Sequence, residues 1–540
     1  MRFSLFLIAC FLFFSASAQI DPFVPAALHT KKTAQNNSAG QVFAKMITPE
    51  RLRRHLTVIA SDAMEGRETG QPGLKKAAKY ITGRLANYHI APFGQLLPSG
   101  KRGYEQPFYY HKEKWTQKQL VIKGVPVTTP NDFAVDISTN PSRPIFNIQD
   151  IVFLGYGIDD PGYSDYQGQS LAGKTIIILS GEPRKPDGTY AISHALTPSE
   201  WSHNDLLKLQ AAQKHGVQLV FILTNQLDQV SSKVARSWTP GQGLNPKGKY
   251  ANNIYISTQT AQKILGKKYR KLTKCQRKIN KKGKPKHFRA RTNISGSLDI
   301  NRQILRGANL LAVVEGSDPK LKNEYVYITA HYDHLGMRGE DIFNGADDNG
   351  SGTSSLIEIA HAFAQAKESG LGAKRSLIFM WQAGEEKGLL GSEAYVNHPI
   401  VPLKNAVADI NIDMIGRVDA AHEGHPDYIY VIGANRLSTA LDQIVKDANV
   451  YTHLDLDYKY NADDDPNRFY YRSDHYNFAK HNIPAVFFFN GTHEDYHRPS
   501  DTIDKINFKK MAKIAQLAFY TGWEIASRKE RLKVDVPKQN

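Results

Sequence analysis

Five short clusters of polar residues contain the side chains in this chain that could do chemistry. The clusters are HYD at His331 to Asp333, GADDNGSG around Asp348, AGEEKGLLGS around Glu385 and Glu386, NIDMIG at Asp413, and YHRPSD at His497. Together they supply imidazoles and carboxylates without a thiolate. A pair of metal ions needs one bridging carboxylate, and each ion needs further nitrogen or oxygen ligands. These residue types therefore predict a two-metal hydrolytic site.

The candidate ligands are three carboxylates and two imidazoles: His331, Asp348, Glu386, Asp413 and His497. Such a mixed set favours zinc, with cobalt or manganese as substitutes. Asp333 follows His331 by two residues on an extended chain, so it is placed to orient that imidazole. Glu385 is adjacent to a ligand and should point elsewhere. A carboxylate beside a metal site is the usual general base for hydrolysis, and we predict that role for Glu385.

Each cluster follows an apolar run typical of a β-strand. YVYITA precedes His331, SLIFMWQ precedes the glutamate pair, VADINI precedes Asp413, and AVFFF precedes the His497 loop. Taken singly, each cluster has an ordinary explanation, such as an Asx turn at Asp348 or a solvated loop at the glutamates. Five coincidences at strand ends argue against that, because ligands gather at the carboxyl ends of strands in open α/β sheets.

Helical patterns alternate with these strands, which predicts an α/β fold with a mostly parallel sheet and helices on both faces. A chain of 540 residues is too long for one ordinary core. We predict a signal peptide over 1–18, an N-terminal part of the catalytic domain over 19–118, and its main part over 301–540. Between them, 119–300 should be an inserted β-rich domain with one or two helices, entered and left through turn-rich segments.

The N-terminus has the pattern of a secretory signal. Arg2 precedes an apolar run, and Ala16-Ser17-Ala18 forms an A-x-A cleavage site. This predicts an exported protein, either periplasmic or secreted. A lipoprotein cleavage box ending at Cys10 is the less favoured alternative, because the apolar run continues past it. Removal of the signal would leave Cys275 alone, which excludes an intrachain disulfide.

The formal net charge of +17 is concentrated in one place. The segment Lys267–Arg291 is strongly basic and contains no acidic residue. It could bind nucleic acid, but no stacking aromatics accompany it, so no nucleic-acid partner is expected. We predict a solvated loop or a contact with an anionic envelope surface.

The motifs resemble those of the co-catalytic dizinc aminopeptidase family, which also contains glutamate carboxypeptidase-like enzymes and mono-zinc glutaminyl cyclases. EGRETGQPG at 65–73 and YEQPF at 104–108 look like the opening segment of that family. HYDHLG, ADDNGSG, EEKGLLGS, NIDMIG and YHRPSDT look like its site motifs. The resemblance implies that the insert is a protease-associated domain.

The resemblance also implies roles for single residues and a cofactor of two zinc ions. His331 and Asp413 would bind the first zinc, and Glu386 and His497 the second. Asp348 would bridge the two ions and be followed by a cis peptide bond to Asn349. Glu385 would activate the bridging water. RSDHYNF at 472–478, with Asp474, resembles a segment near the substrate cleft and receives a supporting role.

The predicted function is that of an exported zinc-dependent exopeptidase. An aminopeptidase acting on peptide substrates through a metal-bridging hydroxide is favoured. A carboxypeptidase or dipeptidase with the same site is the alternative, and a mono-zinc glutaminyl cyclase is less favoured. Carboxylates could hold a substrate ammonium, whereas a carboxypeptidase needs cations aimed at a carboxylate. The candidates for the first role are Glu385, Asp413 and Asp474, and those for the second are Arg417, Arg472 and Arg498.

Overall fold

One sixteen-stranded mixed sheet runs through the chain and is covered by helices. The computed structural model describes residues 36–140, 142–234, 238–239 and 249–537. The predicted signal peptide, with Cys10, lies outside the described residues. Within these ranges, no helix combines the length and the apolar character that a membrane span requires.

The first part of the chain alternates long helices with strands of very different length. Its elements are α1 (Asn36–Ala44), α2 (Pro49–Ile59), α3 (Pro72–Asn87), β1 (Ala91–Pro92), β2 (Glu105–Ile122), β3 (Val125–Val127), β4 (Phe133–Ala134), β5 (Arg143–Leu154), β6 (Asp159–Asp160), β7 (Tyr163–Ser164), β8 (Thr175–Leu179), α4 (Asp205–Lys214), β9 (Leu219–Leu223), α5 (Leu227–Val234), β10 (Trp238–Thr239), β11 (Asn253–Ile256), α6 (Thr258–Leu265) and α7 (Tyr269–Lys282).

The second part begins with the longest strand and ends with the longest helix. Its elements are β12 (His287–Val314), β13 (Tyr325–His331), β14 (Gly336–Arg338), β15 (Asp341–Phe343), α8 (Gly352–Glu368), β16 (Ser376–Gln382), α9 (Leu390–Asn397), β17 (Ala406–Ile412), β18 (Tyr428–Ile432), α10 (Ala434–Leu437), α11 (Thr439–Asn449), β19 (Asp455–Asp457), α12 (His475–Ala479), β20 (Ala485–Phe489) and α13 (Phe508–Ser527).

Four neighbouring strands form the centre of the second part. They lie in the order β20, β17, β13, β16, and each is parallel to the next. Their carboxyl ends therefore meet at one edge of the sheet, where ligand sites form in open α/β folds. The four apolar runs predicted as strands are these four strands.

Helices cover both faces of this sheet. Along β13, Ile328 joins the core formed with α8 and α13. Tyr327 points to the opposite face and packs with Tyr395 of α9 and Phe478 of α12. Burial on both faces explains why these strands are continuous apolar runs. The predicted α/β class, with a mostly parallel sheet and helices on both faces, is confirmed.

The segment 119–300 contains more helix than predicted. It contains strands such as β5, β8 and β9, as a β-rich segment should, and α4 is a helix of the kind expected. However, α5, α6 and α7 add three helices, so the prediction of one or two was wrong. The pattern was missed because α7 has only two buried residues, Leu272 and Ile279, among many charges.

The predicted boundaries of the insert do not fall in turns. β2 and β12 pair antiparallel from Glu105 opposite Leu310 to Ile122 opposite Ile294. This ribbon continues through 118/119 and 300/301, with one irregularity in its register between Asp299 and Ile300. Alternating polar residues in its middle resemble a loop in sequence, although they continue both strands. β12 also pairs with β5 and β16, so one strand is shared by both parts of the sheet.

Candidate active site

The structure brings the five predicted ligand residues together at the carboxyl edge of the central strands. His331 is the last residue of β13, and Asp413 follows β17 directly. Glu386 lies just beyond β16, and His497 lies in the loop after β20. Asp348 lies in the turn that leads into α8. The convergence follows from the parallel order of the strands, since each contributes its own carboxyl end.

The carboxylate of Asp348 lies between two histidines. Its Oδ1 is 3.4 Å from Nε2 of His331, and its Oδ2 is 3.1 Å from Nε2 of His497. The same nitrogen of His331 is 3.1 Å from Oδ1 of Asp413. Nε2 of His497 is 3.3 Å from Oε2 of Glu386. The site therefore has two poles, one with His331 and Asp413 and one with His497 and Glu386, that share Asp348.

A third histidine, His334, belongs to the second pole and was missed in the sequence. Its Nδ1 is 2.8 Å from Oε1 of Glu386 and 3.8 Å from Oδ2 of Asp348. Its other nitrogen is buried without a hydrogen-bond partner among the described residues. The spacing His331-x-x-His334 was the available signal. It was overlooked because His497 already completed the ligand set.

Asp333 contacts His331 differently from the prediction. Nδ1 of His331 lies 3.2 Å from the backbone carbonyl oxygen of Asp333, whereas the carboxylate Oδ1 is 3.7 Å away. That carboxylate instead accepts hydrogen bonds from the Thr69 hydroxyl at 2.8 Å and from the Glu385 backbone N–H at 3.2 Å. Asp333 thus orients the imidazole through its main chain and holds the loop of Glu385 through its side chain.

The electrostatics of the cluster favour cations. Burial raises the pKa of Glu385 well above its usual value, and the nearby carboxylates of Glu386 and Asp413 add to the rise. Burial opposes protonation of His497, but the carboxylates of Asp348 and Glu386 outweigh it and raise its pKa to about 10. Both raised pKa values show that the buried carboxylates create a strongly negative potential. Such a potential attracts cations to the site.

The donor atoms fit a pair of metal ions. Two groups of three residues have ligand atoms within 4.8 Å of one another: His331, Asp348 and Asp413, and His334, Asp348 and Glu386. Both groups contain Asp348. Imidazole nitrogens and carboxylate oxygens without sulfur are the ligands of catalytic zinc sites.

The turn that presents Asp348 is fixed by buried side chains. The peptide bond between Asp348 and Asn349 is cis, as the family resemblance implied. The carboxylate of Asp501 accepts hydrogen bonds from the backbone N–H groups of Asp347 and Asp348, each at 3.1 Å. The Asn349 amide donates to the Ile412 carbonyl at 2.9 Å, next to Asp413. The turn at Asp348 is therefore held from both sides.

Arg67 lies fully buried beneath the site. Its guanidinium donates to four backbone carbonyls, those of Ile59, Tyr332, Asn344 and Gly345, at 2.7 to 3.0 Å. Burial lowers the pKa of Arg67 to about 10, although the Asp348 carboxylate opposes this shift. Arg67 therefore remains charged at neutral pH and links the strand end at Tyr332 with the loop before Asp348.

The residues that follow Arg67 extend this support. Glu68 pairs with Lys387 at 2.9 Å, directly after Glu386. Thr69 donates to Asp333. The segment 67–69, which we call the strap, thus contacts each of the loops that carry His331, Asp348 and the glutamate pair. The motif EGRETGQPG acquires a structural role from these contacts.

The chain matches the model of Peptidase family M28 over residues 309–522. The matched residues contain all five predicted ligands. Two curated relatives align with part of the chain. A probable leucine aminopeptidase of Arthroderma otae is 31% identical over 224 residues, which is 40% of this chain and 57% of the relative. Aminopeptidase YwaD of Bacillus subtilis is 29% identical over 229 residues, 40% of this chain and 44% of that protein.

A solved structure extends the likeness of the fold beyond that region. The aminopeptidase from Aneurinibacillus sp. strain AM-1 covers 92% of this chain and 99% of its own, with 19% identity and a TM-score of 0.52. At that identity the likeness concerns the fold alone. The chain spans about half the length of the curated relatives that it matches.

Proposed function

We propose that this protein is a zinc-dependent aminopeptidase that removes N-terminal residues from peptides. The observation that carries the proposal is the Asp348 carboxylate, whose two oxygens each face a different histidine. A bridging carboxylate with an imidazole on either side is what a two-metal site requires. The names of the curated relatives support the same activity.

We assign His331 and Asp413 to one ion, Glu386 and His497 to the other, and Asp348 to both. Zinc bound there would supply a Lewis acid and lower the pKa of a water molecule. Glu385 would take a proton from the attacking water and return it to the leaving amine. Its raised pKa suits a carboxylate that exchanges protons. Asp333 would keep that carboxylate in place through the Glu385 backbone N–H.

The charged residues around the site favour recognition of an ammonium group. Asp413 and Glu385 line the site, whereas Asp474 is fully buried and accepts a hydrogen bond from Ser392. Asp474 therefore acts from behind the site. Arg417, a candidate for binding a carboxylate, is already paired with Asp495 at 2.9 Å. An engaged arginine is a poor anchor for a substrate carboxylate, which weakens one of the three arginine candidates for a carboxypeptidase.

Chromogenic aminoacyl substrates, assayed with and without a chelator, test the activity. We expect hydrolysis that the chelator abolishes and added zinc restores. Acetylation of the amino terminus of a good peptide substrate should stop cleavage, and amidation of its carboxyl terminus should have little effect. The reverse pattern would assign a carboxypeptidase. Cyclisation of glutaminyl peptides by a protein that holds one zinc ion at saturation would assign a glutaminyl cyclase.

Metal stoichiometry tests the ligand assignment independently of substrate. We expect two zinc ions per chain at saturation by elemental analysis. Asp348→Asn should lose both ions, because one carboxylate serves both. A saturated wild-type protein with a single zinc ion would contradict the dinuclear site.

Two further proposals concern the rest of the chain. We propose that the protein is exported after cleavage behind Ala18, as the pattern of Arg2 and Ala16-Ser17-Ala18 suggests. Sequencing of the mature N-terminus should then begin at Gln19. We also propose that 119–300 is a protease-associated domain that controls the access of substrates and takes no part in the chemistry.

A further inference from the structure

The segment Lys267–Arg291 is a helix and the start of a strand, so the loop predicted there was wrong. It contains thirteen basic residues and no acidic one. All thirteen side chains are exposed, while Leu272 and Ile279 of α7 point into the core. We call these residues the basic face: Lys267, Lys268, Arg270, Lys271, Lys274, Arg277, Lys278, Lys281, Lys282, Lys284, Lys286, Arg289 and Arg291.

Contacts between the helix and the strand make the basic face continuous. Nζ of Lys268 donates to the Arg289 carbonyl at 3.0 Å, and Nζ of Lys271 lies 5.1 Å from the centre of the Phe288 ring. Along the start of β12, exposed Arg289 and Arg291 alternate with buried Phe288 and Ala290. The strand therefore turns its charges outward beside those of α7.

The basic face has no internal counter-charge. Across the described residues, no carboxylate lies within 4.0 Å of any of its charged nitrogens. Elsewhere in 119–300, lysines do form ion pairs with carboxylates. Lys263, for example, pairs with Asp132 at 3.1 Å. Like charges held side by side on a rigid helix repel one another, and salt only screens that repulsion. An arrangement of this kind favours a partner with many negative charges.

We propose that the basic face docks on an anionic lipid surface. Nine of its residues are lysines, whose flexible, compact charges suit a fluid array of phosphates better than a single bidentate site. Basic clusters near an anionic leaflet gain binding energy from each charge in turn. Single-stranded nucleic acid would need exposed rings on which its bases could stack. The one tyrosine in the segment, Tyr269, is half-buried.

The surface is separate from the candidate active site, because 119–300 contributes no predicted ligand. Docking therefore does not depend on the proposed peptidase activity. Lipid binding can be measured on the whole protein while hydrolysis of a small aminoacyl substrate is followed in parallel.

Co-sedimentation with vesicles tests the proposal. The probes are phosphatidylcholine vesicles with about 30% phosphatidylglycerol and vesicles of phosphatidylcholine alone. We expect the full chain to bind only the anionic vesicles and to dissociate as salt rises from about 0.1 M to about 0.5 M. Replacement of Lys267, Lys274 and Lys278 by Glu should weaken that binding at least about tenfold. All three residues are exposed; Lys274 and Lys278 lie one turn apart in α7, and Lys267 lies in the turn just before it.

A matched variant separates local charge from net charge. Lys320→Glu, Lys404→Glu and Lys509→Glu change three exposed lysines outside the insert, and this variant should bind anionic vesicles as the wild type does. Circular dichroism and a Gln version of the first variant check that α7 still folds. Equal loss in both charge variants, or no binding by the wild type, would overturn the proposal. Tighter binding to duplex DNA than to anionic vesicles would assign the surface to nucleic acid instead.

Discussion

Glu385 and Glu386 are adjacent, yet their environments assign them different roles. Glu386 faces the imidazoles of His334 and His497. Glu385 has its backbone N–H bound by Asp333. We expect Glu385→Gln to retain two zinc ions and lose turnover by about 10²–10⁴-fold, as for other general bases. Glu386→Gln should lose zinc. Elemental analysis and initial rates on the same preparations measure both.

Glu340→Gln serves as the control for this pair, because Glu340 is exposed on the turn between β14 and β15. It should leave both zinc content and rate unchanged. The roles would have to be exchanged if Glu385→Gln lost metal while Glu386→Gln kept it.

The two histidines of the second pole call for a separate comparison. We expect His497→Ala to hold one zinc ion, because its Nε2 faces both Asp348 and Glu386. His334→Ala should still hold two ions but bind the second more weakly, since Glu386 loses the neighbour at 2.8 Å that orients it. Titration with zinc under a competing chelator distinguishes these outcomes. Loss of one ion in His334→Ala alone would make His334 the ligand.

Among single residues, the sequence predicted the site residues that directly follow strand ends. It did not predict the residues that hold the site loops in place. His331 and Asp413 were found because an apolar run stops immediately before a polar group. Arg67 acts through four backbone carbonyls, and backbone acceptors leave no pattern in a sequence. The Asp501 carboxylate accepts hydrogen bonds from two backbone N–H groups, and these also leave no pattern in the sequence. The roles of these two residues required the structure.

At the scale of elements, the strap is the support of the site that can be tested most directly. Lysine has one amine and cannot replace the fork of Arg67, so several buried carbonyls would lose their donors. We expect Arg67→Lys to reduce the free energy of unfolding by about 2–4 kcal/mol and to weaken zinc binding. Urea unfolding of the chelator-treated protein measures the first effect, and competitive zinc titration the second.

Thr69→Val provides a milder test of the strap with nearly the same volume. It removes the hydroxyl that donates to Asp333 and leaves Arg67 in place. We expect a smaller change in stability and a clear fall in turnover, because Asp333 also holds the Glu385 loop. A variant that matched the wild type in turnover would show that Asp333 needs no second donor.

At the scale of the whole molecule, the paired ribbon of β2 and β12 permits a clean removal of the segment that we propose as an inserted domain. Lys114 lies opposite Asn301, so an Asn-Gly turn between them would close an ordinary hairpin. With its fold verified by circular dichroism, this shortened protein should hydrolyse a small aminoacyl amide like the full chain. It should process longer peptides at a different rate. Equal loss on both substrates would contradict a role in access alone.

The overall architecture was predictable where burial is strongest. The four central strands are apolar throughout because both of their faces are covered, and this pattern predicted a mostly parallel sheet. Their order in the sheet required the structure. The prediction failed in the insert, where α7 shows two apolar residues among lysines. It also failed at both boundaries, where polar residues continue β2 and β12. Helices and strands that face solvent contain too few apolar residues for their periodicity to distinguish them from loops in the sequence.

The shared strand β12 restricts how the molecule can move. Since β12 pairs with β16 at one end and with β5 at the other, the two halves are joined by a hydrogen-bonded ladder. A rigid-body swing of one half against the other would have to bend this strand, and its irregular positions between Arg291 and Ile300 are where it departs from regular pairing. Opening and closing around a substrate should therefore occur as a twist spread along the ribbon. A free hinge is not compatible with that ladder, and amide protons on both of its sides should exchange slowly together.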